Sequence, residues 1–438
     1  MKTIQFKVKL LSDIILNQKS ASQGNQQTLD FIPGSNFLGI VATNYTEFTE
    51  IEQLTVFHSS KVRFGDAHPI LENKRALRTP ASFQKPKIKD ETCYVHHAIP
   101  DFKVVKDLQL KQSRSDFQMF SSNKATQISP LKCFSIKSAY DREKRRSQDE
   151  KMYGYQSIQQ DAEYCFEIYF DEDVNTELID RIKAKLIGKK RIGRSRTAQY
   201  GLIEIQEEAF EKSTSDFGKK DEFVIYAESR LIFLDDYLNP TLTPKPENFG
   251  VKGGKILWGK SQVRTFAYSP YNYHRACFDA ERKGIEKGSV FVIKGEDITK
   301  NIEFAGEYLN EGFGKIIINP NFFACDENGI SKFEFKELEK SSSNKTQKSE
   351  LKTDFDNKLF SFLNNLKSQK EKEKTVYQKV NDFVENHKDK FKQEAFASQW
   401  GTIRSLAMQY PLKADLEHEL FSKTTNRNGQ VIPNAYLT

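Results

Sequence analysis

The chain has 438 residues, 37% of them hydrophobic and 29% charged, with a formal net charge of +7. That length suits two or three domains, and the moderate basic bias leaves the position of the charge to decide what it attracts. Five scattered cysteines with no Cys-x-x-Cys pair argue against a disulfide framework or a cysteine-based zinc site. No apolar run is long enough to cross a bilayer, and residues 1–10 alternate instead of forming a signal peptide, so a cytoplasmic protein without membrane association is expected.

Residues 3–11 read as a strand with Ile4, Phe6, Val8 and Leu10 on one face. Phe31-Ile32-Pro33-Gly34-Ser35 is a turn, and residues 36–48 carry the helical pattern Phe37, Ile40, Val41, Tyr45 and Phe48. Residues 62–67 form a second strand. From 79 to 151 polar and charged residues dominate, and residues 113–127 have no clear period, which reads as a long insertion, a hairpin or mobile flap with a functional role. Residues 163–170 alternate as a third strand, and residues 175–187 place Leu178, Ile182 and Leu186 at helical spacing.

A basic, glycine-rich stretch follows, from Gly188 to Gly201, with five cations and three glycines. Residues 181–200 hold eight Lys or Arg and no acid, a concentration of one sign that suits a phosphate backbone. Glycine lets a backbone approach a ligand closely, and arginine adds planar, bidentate contacts to phosphate. Phosphate loops of the Walker type precede a helix, whereas this one precedes a strand, residues 202–206, and fits RNA better than a mononucleotide. Strand, helix, strand, insertion, strand, helix, strand is the ferredoxin-like, RRM-like βαββαβ arrangement.

A second unit begins near Asp221. Residues 222–233, 256–268 and 288–293 read as strands, residues 296–309 as a helix weakened by Gly306, and Glu311-Gly312-Phe313-Gly314-Lys315 as a second glycine loop feeding a strand. The fold class expected is therefore α+β, two ferredoxin-like domains in tandem, covering residues 1–210 and 221–336, with the insertion at 79–151 in the first. Residues 337–350 form a polar linker. Residues 351–438 form a helical segment of two or three helices whose apolar faces, including Trp400, are expected to be core.

These residues together resemble the RAMP superfamily of CRISPR effector proteins. Residues 31–39 look like the family's Ile-Pro-Gly-Ser segment, Val62-Arg63-Phe64-Gly65-Asp66-Ala67 like its Phe-Gly-Asp-Ala strand, and residues 191–201 and 312–314 like its two glycine loops. Arg264-Thr265-Phe266 with Ser269-Pro270-Tyr271-Asn272, Gly288-Ser289-Val290-Phe291 and residues 398–404 are similar to segments of the Csx-ten type of type III-D complexes. The resemblance covers most of residues 1–330 and implies a Cas-five-like subunit. Such a subunit holds the 5′ repeat-derived handle of the CRISPR RNA, caps Cas-seven-like backbone subunits, contacts a Cas-ten-like large subunit and meets target RNA through the complex.

RNA contacts are then expected at Lys189, Lys190, Arg191, Gly193, Arg194, Arg196 and Gly201, at Arg264 and Arg275, and at Gly312 and Gly314. Tyr200, Phe313, Tyr268, Tyr271 and Tyr273 are candidates for stacking on unpaired bases, against half-buried sheet packing as the alternative for the tyrosines. Some relatives process precursor RNA with a histidine, which keeps a metal-independent endoribonuclease as the alternative. Of His58, His68, His96, His97, His274, His387 and His418, His274 between Tyr273 and Arg275 is the candidate. No spacing makes a catalytic triad visible, and Asp66, Asp235 and Asp236 form no recognisable metal motif. The expectation is a non-catalytic subunit without cofactor or metal.

Overall fold

The computed structural model describes the chain except residues 19–24, 88–91, 114–115, 142–145, 197–198, 214–221, 273–274, 296, 299–301, 338–353, 387–396, 411, 422, 426–430 and 434–438. Met1–Lys340 form one compact unit and Ser341–Thr438 a second. The architecture is mixed, with many antiparallel strands and few helices.

The first sheet is built on β1 (Lys2–Leu10). Helix α1 (Gly34–Ala42), strand β2 (Val62–Phe64), strand β3 (Glu163–Phe170), helix α2 (Thr176–Leu186), strand β4 (Gly188–Arg191) and strand β5 (Leu202–Glu207) follow along the chain. In space the order is β4, β5, β1, β3, β2, all antiparallel. The short strands His68–Leu71 and Lys74–Arg75 continue the sheet beyond β3. Alternation puts Ile4, Phe6, Val8 and Leu10 on the face that α1 and α2 cover, where Phe37 stacks on Phe166 with centroids 3.7 Å apart. The Asn175 side chain accepts from the Glu177 amide to start α2, which buries Leu178, Ile179, Ile182 and Leu186. Each such side chain is worth about 1.5–3 kcal/mol of burial, so the strand pattern read from sequence is also the energetic basis of this half.

The second sheet contains β6 (Glu222–Ala227), β7 (Lys255–Ile256), β8 (Val290–Lys294) and β9 (Ile316–Ile318), in the order β7, β8, β6, β9. With edge strand β4 left out, β9-β6-β8-β7 and β5-β1-β3-β2 have the same order within their own sheets, last-first-third-second. The helices differ. Among the described residues the connections of the second sheet hold only the 3-10 turns Pro246–Phe249 and Leu309–Glu311, so the helix expected over 296–309 is not formed. Gly306 lies at φ +87°, outside helical space. Leu231, Phe249, Val251 and Ala305, from the connections between its strands, cover this face instead. The strand expected over 256–268 is likewise broken, and its second half, Thr265–Tyr268, pairs with Arg282–Ile285.

The other face of the second sheet explains the insertion. Tyr226 and Val290 pack there against Leu77, Phe83, Val95, Phe322 and Phe323. Strands Phe83–Pro86, Tyr94–Val95 and Leu110–Gln112 form one small sheet, and the hairpin Phe117–Ser121/Lys124–Ile128 pairs with Leu77–Arg78 and Glu334–Glu337. Most of the expected flap is thus wall for the second half. Its last part is a long hairpin, Lys132–Asp141 with Arg146–Ile158, which runs past the boundary expected at 151.

In the second unit helices span Asp354–Asn386, Ala397–Gln409 and Lys413–Phe421. Phe362, Leu363, Leu366, Val376, Val380 and Phe383 are exposed, contrary to the expected internal core, and the Trp400 side chain lies outside the described residues.

Candidate nucleic-acid interface

The basic stretch is not a plain helix-to-strand connection. Gly188–Arg191 is edge strand β4, and the connection proper runs from Ile192 to Gly201 between β4 and β5. Gly188, Gly193 and Gly201 all have positive φ, at +93°, +76° and +86°. At Gly193 a β-carbon would stand 2.4 Å from the Ile15 carbonyl oxygen, so only glycine fits. The loop is closed by one backbone hydrogen bond and tied by two more to the segment after β1: Ile192 N donates to Gly201 O at 2.9 Å, Gly201 N to Asp13 O at 2.8 Å, and Arg194 N to Ile15 O at 2.9 Å.

These contacts sort the eight cations of residues 181–200. On α2, Arg181 pairs with Glu52, Lys183 with Glu207 and Lys185 with Glu47. The Arg191 guanidinium donates to the Arg196 carbonyl at 2.6 Å and so closes the loop rather than standing free. Lys189, Lys190, Arg194 and Arg196 have no acid partner among the described residues, and Lys189, Arg194 and Arg196 are exposed. The long hairpin stands beside them. Lys137 donates to the Gln199 amide oxygen at 3.1 Å, and Arg194 lies 5.7 Å above the Tyr155 ring. The result is a rim, formed jointly by loop and hairpin, whose cations have no acid partner among the described residues. Sequence reasoning missed the hairpin's share because Lys137 lies in the polar stretch expected to be an insertion and Tyr155 beyond its expected end, and only the pairing of the two strands brings both to the loop.

Tyr200 is a correction. It is only 4% exposed, its hydroxyl meets Ser135 Oγ at 3.0 Å, and its ring packs against Tyr155 and Ile15. It anchors the hairpin to the loop and offers no free face to a base. Phe313 is a second correction. It is buried, with its ring near-parallel to Phe266 and Tyr268 at 6.2 and 6.0 Å.

The second glycine loop lies in an internal seam. Gly312 and Gly314 are buried, at φ +102° and +90°, and Gly312 lies against Gly34 at the start of α1. Asp66 accepts from Gly34 N at 2.9 Å with one oxygen and from the Lys287 ammonium at 2.6 Å with the other. Burial, only partly offset by Asp66, lowers the Lys287 pKa to about 8. His68 accepts from Lys287 at 3.3 Å through Nε2 and donates from Nδ1 to the Ala76 carbonyl, and burial holds its pKa well below the usual value. Arg75 pairs with Glu228 at 2.9 Å, both buried, and donates to the Cys165 and Asp66 carbonyls. The motif residues around Gly34, Asp66 and Gly312 therefore join the two sheets and present no surface to RNA.

The remaining expected residues divide. Arg264 donates to Gln112 Oε1 and the Ser113 carbonyl and holds the insertion in place. Arg275 pairs with Asp279 on an exposed turn, and Tyr271 is exposed beside Phe278. Tyr273 and His274 lie outside the described residues. Asp235 is occupied by the Tyr237 and Asn239 amides. No described helix is long and apolar enough to cross a membrane.

No family model and no curated protein matches the sequence. Among solved structures the chain is similar to a subunit in the cryo-EM structure of the type III-B Cmr-beta complex bound to cognate target RNA and AMPPnP. That match has a TM-score of 0.40 and 12% identity over 66% of this chain and 86% of that one. The same complex bound to cognate target RNA gives 0.39 and 11% over the same shares. The crystal structure of Cmr4 gives 0.24 and 13% over 48% of this chain and all of that one. All three scores lie below 0.5, and these likenesses carry nothing about what this chain binds.

Proposed function

We propose that the chain is a non-catalytic RNA-binding subunit of a type III CRISPR effector complex, of the Csx-ten type, that grips the 5′ handle of the CRISPR RNA. The observation that carries this is the rim beside Gly193, where edge strand β4 and a loop tied down by backbone hydrogen bonds hold Lys189, Arg194 and Arg196 outward without acid partners among the described residues. A preformed row of cations binds a phosphate chain without first paying to order itself. The shared strand order of the two sheets supports a reading as tandem ferredoxin-like domains, and the motif residues match the RAMP pattern in sequence order. Cas-seven-like and Cas-ten-like subunits are the partners this reading implies.

The test is RNA binding by the full chain at two or more salt concentrations. Replacing Lys189, Arg194 and Arg196 by alanine should weaken binding to single-stranded handle RNA and flatten its salt dependence by roughly 0.7 for each phosphate no longer neutralised. Unchanged affinity and slope would remove the rim from the account. Repeat RNA incubated with the protein without added metal should stay intact; a single specific cut would favour the endoribonuclease reading.

A further inference from the structure

On the insertion, away from the glycine loop, an open depression of about 360 Å³ is lined by Gln84, His96, Phe102, Val105 and Leu110, with Lys103 and Lys106 also at it. That volume lies within the range of about 300–1,000 Å³ usual for small-ligand sites. Phe102 is 45% exposed, so one face of its ring is open to a ligand, and the ring lies 4.9 Å from that of His96. The two lysines follow Phe102 within one and a half helical turns, both exposed and with no acid partner among the described residues. Flat rings, one side-chain amide and two ammonium groups match the parts of a nucleotide: a base to stack, a base edge to hydrogen-bond and a phosphate to neutralise.

A polar chain holds the ring. Arg264 donates to Gln112 Oε1 at 3.1 Å, Gln112 donates to Gln262 Oε1 at 3.4 Å, and Gln262 Nε2 lies 3.4 Å from His96 Nε2. With Gln262 donating, His96 Nε2 is an acceptor and the imidazole is neutral, as burial also favours. A neutral ring stacks without adding charge to the two lysines. This arrangement also gives Arg264 a role apart from direct contact with RNA, as a positioning residue for the pocket wall.

We propose that this depression is a binding site for one unstacked nucleotide, with Phe102 and His96 as the stacking wall, Gln84 reading the base edge and Lys103 and Lys106 taking the phosphate. The proposal stands apart from the loop reading, since it rests on other residues. A free nucleoside monophosphate and a nucleotide within a strand share this chemistry, so both are tested. The full chain is titrated with AMP, CMP, GMP and UMP by ligand-observed NMR, and with a labelled single-stranded RNA by anisotropy.

Binding of a monophosphate that Phe102→Ala weakens about fivefold or more identifies a free-nucleotide site. The same weakening seen only with the oligonucleotide identifies a strand contact, and Lys103→Ala/Lys106→Ala should then lower the salt slope by roughly 0.7, for the one phosphate no longer neutralised. Thermal melts of both variants check that the fold is kept. If wild type and both variants bind both ligands equally, or wild type binds neither, the proposal falls. If Arg194→Ala/Arg196→Ala no longer binds the oligonucleotide while the pocket variants still do, the pocket falls and the loop reading stands.

Discussion

Gly312 and Gly34 touch: a β-carbon on Gly312 would come within 3.0 Å of the Gly34 α-carbon, and one on Gly34 within 2.8 Å of the Gly312 α-carbon. One glycine opens the first helix and the other closes a loop of the second sheet, so two backbones meet where no side chain fits. Gly312 also has φ +102°. Gly312→Ala should therefore destabilise the protein by more than about 1 kcal/mol, through strain and through separation of the sheets. A urea midpoint equal to wild type would show that the seam can open without cost.

The buried Arg75–Glu228 pair crosses the same seam. Arg75→Met leaves a buried carboxylate and two carbonyls without their donor and should cost about 3–5 kcal/mol. Arg75→Met with Glu228→Leu should recover much of that stability, because the stranded charge is gone. Equal destabilisation in single and double variants would argue that the carbonyl contacts, rather than the ion pair, hold the joint.

Burial keeps His68 neutral well below its usual range and lowers His97 to about 3. In the unfolded chain both take up protons near pH 6.5, which the folded chain refuses. Their contribution is present above pH 6.5 and is lost as pH falls below it, by about 1.4 kcal/mol per pH unit for each histidine. Between pH 6.5 and about 5.5 few carboxylates titrate, so this window reports the histidines. Urea denaturation across it should show the slope, and His97→Phe should flatten it. An unchanged slope in that variant would assign the acid sensitivity elsewhere.

Tyr200→Phe removes one hydroxyl contact to Ser135 and should cost about 1 kcal/mol of stability. RNA affinity should stay at wild-type level, since the ring has no open face. A marked fall in affinity with no change in melting would return Tyr200 to the RNA surface.

The amino-acid order was enough for the strands of the first sheet, because Ile4, Phe6, Val8 and Leu10 declare a buried face by their period of two. It was enough for α2 through Leu178, Ile182 and Leu186, and for the glycine loop through residue types whose backbone needs are local. It could not give the second sheet its covering. Leu231, Phe249 and Val251 sit on short turns and a two-residue strand without periodicity, and the opposite face is covered by Leu77, Phe83 and Val95, far away in the chain.

Nor could a count of cations say which were free. Arg181, Lys183, Lys185 and Arg191 look like Arg194 in sequence, yet folding brings three of them to acids and the fourth to a carbonyl. Tyr200 and Phe313 look like stacking platforms until long-range packing covers their rings. Local conformation follows from neighbours along the chain, whereas charge neutralisation and ring exposure depend on which distant segments fold against them, and only the tertiary structure decides that.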